Sequence, residues 1–323
     1  MPIFDRYIAV DWSANNGPKT GKDSIWIGEA TPAGLLASRN PATRALAMAD
    51  IEHTLLAARS RGERVMVGFD FVFGFPVGAA AAIAQAAATA PSVILPSPLR
   101  GEGATRSVVA GGEEPWQALW STLHTLIEDS DANLSNRFTV AEHINRATAP
   151  RFWGHPHGRS YAHLRPTRAT ADYTAVAERR AVESRIRGPQ PVWKLTGVGS
   201  VGSQTLLGIP RLEALRRHPT LGRDIAVWPF ETDFSAKLAA PITLVEIYPS
   251  FFPLEVAAEP RDRAQVETCV LRYAALDAVG LLKTFLAAPA DLNPADRAAA
   301  IAEEGWIAGV GHEQLRLALA EAA

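Results

Sequence analysis

The sequence offers almost no sulfur chemistry: one cysteine, Cys269, and three methionines among 323 residues. A single cysteine excludes an intramolecular disulfide and any thiolate metal cluster. Its setting, Val266-Glu267-Thr268-Cys269-Val270-Leu271, reads as helix, so a buried small hydrophobe is expected rather than a nucleophile. An excess of either charge is also missing. The 32 Lys and Arg stand against 34 Asp and Glu, a formal charge of −2. Without a basic excess the chain is not suited to coating nucleic acid or an anionic membrane. Long hydrophobic runs are absent as well. The most apolar stretch, 77–90, is mostly alanine, interrupted by Gln85 and followed by Pro91, whereas a bilayer-spanning helix needs about 20 strongly apolar residues. The opening Met1-Pro2-Ile3-Phe4-Asp5-Arg6 lacks the charged-then-apolar layout of a secretory signal. A soluble, cytoplasmic protein with no membrane partner is expected.

What is present is a globular composition, 47% hydrophobic and 20% charged, enough for a sizeable core. Tyr7-Ile8-Ala9-Val10-Asp11-Trp12 reads as a buried strand ending on an acid. After turn residues, Ser24-Ile25-Trp26-Ile27-Gly28-Glu29 reads as the returning strand of a hairpin and Leu35-Leu36-Ala37-Ser38 as a third strand. Residues 43–61 form an amphipathic helix pattern, and Arg64-Val65-Met66-Val67-Gly68-Phe69-Asp70 a fourth strand, again closing on an acid. Residues 96–112, rich in Gly, Pro and Ser, are expected to be a loop. From 113 to 218, helical stretches (115–127 and 170–186) alternate with irregular Arg- and His-rich sequence. The sheet resumes in 224–230 and 242–248, a long helix is expected over 262–287, and two helical pieces close the chain. The expected class is α/β: a mixed sheet flanked by helices, with its core in 1–95 and 222–290, a mainly helical insertion or cap in 96–221, and a helical tail in 291–323.

Four acids carry the chemical interest. Asp11, Asp70 and Glu246 each stand at or near the carboxyl end of an expected strand, and Asp277 lies on the following helix. The carboxyl ends of strands form the ligand crevice of open α/β sheets. Carboxylates converging there repel one another unless a divalent cation neutralises them. Hard oxygen ligands select Mg²⁺ or Mn²⁺, and two such ions about 4 Å apart are a standard device for phosphodiester cleavage. The competing reading, an ordinary cap or loop residue, suffices for one strand-end aspartate but not for four acids in this arrangement.

The same fragments carry a family resemblance. The strand order, with Asp11 in Ala9-Val10-Asp11-Trp12-Ser13, resembles a ribonuclease H-like fold. Gly68-Phe69-Asp70-Phe71-Val72-Phe73-Gly74-Phe75-Pro76, Val245-Glu246-Ile247-Tyr248-Pro249-Ser250 and Asp277-Ala278 resemble a family of predicted RNase H-like nucleases, domain of unknown function 429. That resemblance implies a metal-dependent nuclease with Asp11, Asp70, Glu246 and Asp277 as catalytic and metal-holding residues.

Other motifs are weaker. Gly17-Pro18-Lys19-Thr20-Gly21-Lys22-Asp23 imitates a P-loop but is one residue short, ends on Asp and leads into a strand. Ser13 and Lys22 nevertheless stand as candidate phosphate contacts, against a solvated hairpin tip. Gly197-Val198-Gly199-Ser200-Val201-Gly202 matches Gly-x-Gly-x-x-Gly, but Gly208 and Pro210 interrupt the helix that a dinucleotide site requires. A flexible turn, or a cradle in which Gly199 and Ser200 meet a substrate phosphate, are the remaining readings. Lys194 and Arg180 are candidate cations for that phosphate, against a salt-bridged surface. His155-Pro156-His157, with no thiol nearby, is a poor zinc site. The leading expectation is therefore a Mg²⁺- or Mn²⁺-dependent hydrolase acting on a short nucleic acid or a phosphorylated small molecule. The alternatives are a nucleotide-dependent phosphotransferase of the actin and sugar-kinase type and a non-catalytic metal- or small-molecule-binding protein.

Overall fold

The computed structural model describes residues 2–90, 113–235 and 240–316. Three strands open the chain, β1 (Arg6–Asp11), β2 (Trp26–Thr31) and β3 (Gly34–Arg39), followed by helix α1 (Arg44–Ser60) and strand β4 (Val65–Phe69). Two later strands, β5 (Ile225–Val227) and β6 (Ile242–Glu246), complete a six-stranded sheet in the order β3-β2-β1-β4-β6-β5. The β1–β2 and β2–β3 pairs are antiparallel, whereas β1–β4, β4–β6 and β5–β6 are parallel. The protein is α/β, a mixed sheet flanked by helices.

The two-residue period of the strands sorts their side chains onto two buried faces. Ile8 and Val10 of β1, Val67 and Phe69 of β4 and Leu244 of β6 point to one side. There they join α1, α2 (Ala79–Ala88), α3 (Pro115–Leu126), α4 (Arg137–Ala147) and α5 (Gly202–Arg216) through Leu55, Ile83, Trp120, Ile144 and Leu206. Tyr7, Ala9, Met66 and Val245 point to the other side, onto α6 (Arg261–Ala278) and α7 (Leu282–Phe285). Each fully buried Leu, Ile or Phe contributes about 1.5–3 kcal/mol. The described helices of the expected insertion therefore supply one of the two layers covering the sheet, instead of capping a finished core.

Several local expectations are corrected. No long helix forms over 170–186; only 3₁₀ turns at Arg168–Thr170 and Val182–Ser184 do. Non-helical ion pairs take the charges that would have lined a helix face, Arg168 to Glu178 and Arg180 to Glu246, and such contacts override modest helix propensity. α5 does form across Gly208 and Pro210. Glycine at 208 leaves room for Phe71, whose ring would lie 2.3 Å from an added Cβ. The helix expected over 262–287 divides into α6 and α7 at Gly280, whose φ of +77° suits glycine. The expected loop 96–112 lies outside the described residues.

The tail after 290 supplies α8 (Pro294–Ala299) and a π-helical turn, Ala300–Glu304. Its Glu303 carboxylate accepts from the amides of Gly78 (2.9 Å) and Ala80 (2.6 Å), satisfying the start of α2. Cys269 is buried on α6, and burial pushes its thiol up to about 12, so it is not a nucleophile. No helix among the described residues is long and apolar enough to cross a membrane.

α6 approaches β2 most closely over Gly28, where an added Cβ would lie 2.8 Å from the Val266 carbonyl oxygen. Gly28→Ala is therefore expected to destabilise the protein by about 1–3 kcal/mol through overpacking. A urea titration checks this: the midpoint should fall at constant slope, and an unchanged midpoint contradicts the close approach.

Candidate functional site

The register of β1 against β4 builds the site. Val10 pairs with Phe69 on adjacent parallel strands, so the next residues, Asp11 and Asp70, lie side by side at the carboxyl edge. The Asp70 amide continues the ladder to the Val10 carbonyl (3.2 Å), and Asp70 Oδ1 accepts from the Trp12 amide (2.7 Å). Both side chains are packed around on most sides but keep an edge open to solvent. Their carboxyl groups perturb one another directly. Burial, then the negative charge of Asp70, holds the Asp11 carboxyl well above the usual carboxylate range. Burial also raises Asp70, to about 6, against the pull of the Trp12 amide and the neighbouring Asp11 carboxyl. Neither enters an ion pair among the described residues.

Two cavities meet at Asp11. One, of about 420 Å³, is lined by Asp11, Asp70, Ser200, Glu246 and Tyr248 among others. The second, of about 520 Å³, includes Asp11, Ser13, Arg137, Ser200 and Asp262. Asp11, Gly197, Ser200, Gln204 and Gln265 belong to both, so the cleft passes directly over Asp11.

The expected set of four acids does not assemble. Glu246 borders the first cavity, but both its oxygens are committed. Arg180 Nη2 donates to Oε1 (2.6 Å) and Nη1 to Oε2 (2.8 Å), and Oε2 also accepts from the Phe73 amide (2.9 Å). Burial pushes Glu246 upward while Arg180 opposes it. Burial alone would lower Arg180, yet Glu246 and Glu183 outweigh it and hold the guanidinium above its ordinary value. The two-point geometry is that of an ionised pair, so Glu246 is not free to ligate a metal. Arg180, which also donates to Glu183 and to the Glu304 carbonyl, is not free to grip phosphate.

Asp277 lies elsewhere. Its oxygens accept from the amides of Ile3 (2.8 Å) and Phe4 (2.9 Å) and from the Tyr7 hydroxyl (2.7 Å), at the beginning of β1. Asp11 stands at the other end, four residues beyond Tyr7 and therefore about 13 Å away along the strand. The expectation that Asp277 joins the metal-holding acids is thus overturned: it fastens the N-terminal segment.

The expected phosphate contacts divide similarly. Ser13 lines the second cavity, where its Oγ accepts from Asn15 Nδ2 (2.8 Å). Gly199 and Ser200 line the first. Lys22 is exposed on the hairpin and borders neither cavity, and Lys194 points its ammonium at the Val198 carbonyl (2.7 Å), bracing the glycine turn. Gly197 and Gly199 have φ of +95° and +69°, and α5 starts just beyond them. No regular strand precedes that turn, so the dinucleotide-binding arrangement is absent.

Three cleft residues carried no functional reading in the sequence: Asp262 and Gln265 on the first turns of α6, and Arg137 at the start of α4. The signal available for Asp262 was an acid in a helix's first turn, after Pro260. Its charge is one of those raising Asp11, and its Oδ2 accepts from the Asp23 amide (2.6 Å). Among the described residues, no group of three or more His, Cys, Asp or Glu is placed to hold a metal ion. The arrangement offers two carboxyl groups, not a closed cage. No protein-family model, curated protein or solved structure matches the chain.

Substitution should separate the two kinds of aspartate. Asp277→Ala orphans the buried amides of Ile3 and Phe4 and removes one acceptor of the Tyr7 hydroxyl, and is expected to cost about 3 kcal/mol. Asp70→Asn keeps the Oδ1 acceptor and removes a like charge. Because the folded pair binds protons more tightly than an unfolded chain, its contribution falls as pH rises from about 4, the ordinary carboxylate value, through about 6. Asp70→Asn should therefore match or exceed the wild type at pH 7 by up to about 3 kcal/mol, with the difference shrinking towards pH 4. Denaturant titrations at both pH values check this, and a strongly destabilised Asp70→Asn contradicts it.

Proposed function

We propose that the protein is a divalent-metal-dependent hydrolase of phosphodiester or related phosphate bonds, centred on Asp11 and Asp70. The observation that carries this is the pair itself: two adjoining carboxyl groups, without a basic partner among the described residues, with Asp11 at the junction of two cavities. Burial and mutual repulsion disfavour ionising both groups together, and a divalent cation between them would offset that cost. Two carboxylates suit Mg²⁺ or Mn²⁺, since Mg²⁺ usually binds through one or two carboxylates with waters and substrate phosphates completing its shell. When bound, such an ion makes water more acidic and neutralises charge on phosphoryl oxygens.

This chain's own groups would do the rest. Asp11 and Asp70 hold the ion, Asp262 adds negative charge beside it, and Ser200 and Gln204 border the substrate's path. Arg180 and Glu246 keep the wall of the first cavity rigid. The sheet order, with two antiparallel hairpin strands beside a parallel β1–β4 pair, supports the resemblance to ribonuclease H-like folds. Fold alone does not dictate reaction, so the weight rests on the acid pair.

The test is hydrolysis of bis(p-nitrophenyl) phosphate with Mg²⁺ or Mn²⁺. Asp11→Asn and Asp70→Asn should each lower the rate by about a hundredfold or more, and a chelator should abolish it reversibly. Activity indifferent to chelation and to both substitutions overturns the proposal. Protons compete with the ion for the pair, so activity should decline as pH falls below about 6, the value to which Asp70 is raised. A rate that rises on acidification contradicts this.

A further inference from the structure

The segment following Asp11 is gripped by buried arginines. Arg44 Nη1 donates to the carbonyls of Ser13 and Asn15, both at 3.0 Å. Arg137 Nη2 donates to the Ala14 carbonyl (3.0 Å), Nη1 to Asn16 Oδ1 (2.7 Å) and Ser135 Oγ (2.6 Å), and Nε to Ser203 Oγ (3.0 Å). Arg44 has a carboxylate partner, Asp129 at 2.6 Å, which Arg211 shares at 2.9 Å. Among the described residues Arg137 has none: it is 4% exposed, its hydrogen-bond partners are all neutral, and its guanidinium lies 4.5 Å over the Phe138 ring.

A buried cation without a counterion is costly unless something compensates it. Burial, reinforced by Arg44, pulls Arg137 down to about 10, still charged at neutral pH. Arg137 is not sealed in the core, because it lines the second cavity beside Ser13, Ser200 and Asp11. The first turn of α5, a 15-residue helix, borders the same space through Ser203 and Gln204, and a helix start favours an anion.

We propose that the second cavity is an anion subsite, in which Arg137 and the start of α5 receive a phosphate group of the substrate that neighbours the one reacting at Asp11 and Asp70. The assignment rests on the phosphate-ester reading of that centre. It defines the substrate class as one carrying a second phosphate next to the scissile bond. Asp11, Asp23 and Asp262 line the same cavity. Phosphate therefore binds best when a divalent cation offsets those acids, and by linkage each ligand strengthens the other.

Calorimetric titration of inorganic phosphate into the full-length protein, with and without Mg²⁺, tests this. The wild type should bind saturably, and more tightly with Mg²⁺. Arg137→Gln should weaken binding about ten- to hundredfold, the range for one charge-assisted contact. Because Arg137 is buried, Ser200→Asp, a half-buried change at the cavity wall, is the companion variant and should weaken binding comparably. Absence of saturable binding to the wild type overturns the subsite, as does unchanged affinity in a folded Arg137→Gln or in Ser200→Asp. Phosphate binding that depends on Arg137 but not on Mg²⁺ leaves the subsite standing and counts against the metal reading. Metal-dependent hydrolysis with no phosphate binding does the reverse. For the substrate class, a dinucleotide with a terminal phosphate should be cleaved faster than one without it, and the preference should vanish in Arg137→Gln.

Discussion

The pairing of β1 with β4 is the constraint on which the rest depends. Parallel strands lie about 4.8 Å apart, and a slip of one residue turns every side chain to the opposite face. The register Val10 to Phe69 brings Asp11 and Asp70 to the same level on adjacent strands. It is fixed by the cores on both faces, since Val10 and Phe69 must enter one while Ala9 and Met66 enter the other. The hydrophobic effect thus pays for a juxtaposition that electrostatics opposes. A site that burial forces on two like charges is available for a proton or a cation.

Partners, more than position, distinguish the acids of this protein. Glu246 has Arg180, Asp277 has two backbone amides and a phenol, and Asp129 has Arg44 and Arg211. Each is satisfied within the fold and has no capacity left for a ligand. The Asp11 and Asp70 carboxyls chiefly have each other. Arg137 mirrors them from the basic side, a buried guanidinium whose partners among the described residues are all neutral. Unmatched charges of both signs border one cleft, as binding a cation together with an anion requires.

Much of this was legible in the residues. The apolar runs ending on Asp11 and Asp70 read as two strands and point to the two acids that do meet, because local pattern and sheet register agree there. Glu246 also reaches the cleft, but its ion pair with Arg180 spans 66 residues and leaves no local trace in the sequence. Asp277 misled for a related reason: a helical acid near apolar neighbours looks the same whether it faces a metal or the amides of Ile3 and Phe4. Helix propensity failed over 170–186, where Arg180 and Val182 answer to distant partners in the core. Asp262 and Arg137 were hidden because a first-turn acid and a lone arginine become notable only when the fold turns them into one cavity.

The most direct test of the central claim is a crystal soaked in Mn²⁺ and measured at the manganese absorption edge. The account predicts an anomalous peak within coordinating distance of Asp11 and Asp70, lost in Asp70→Asn, and none at Glu246 or Asp277. A map without a peak at the pair, or with the ion bound by Glu246 or Asp277 instead, contradicts it.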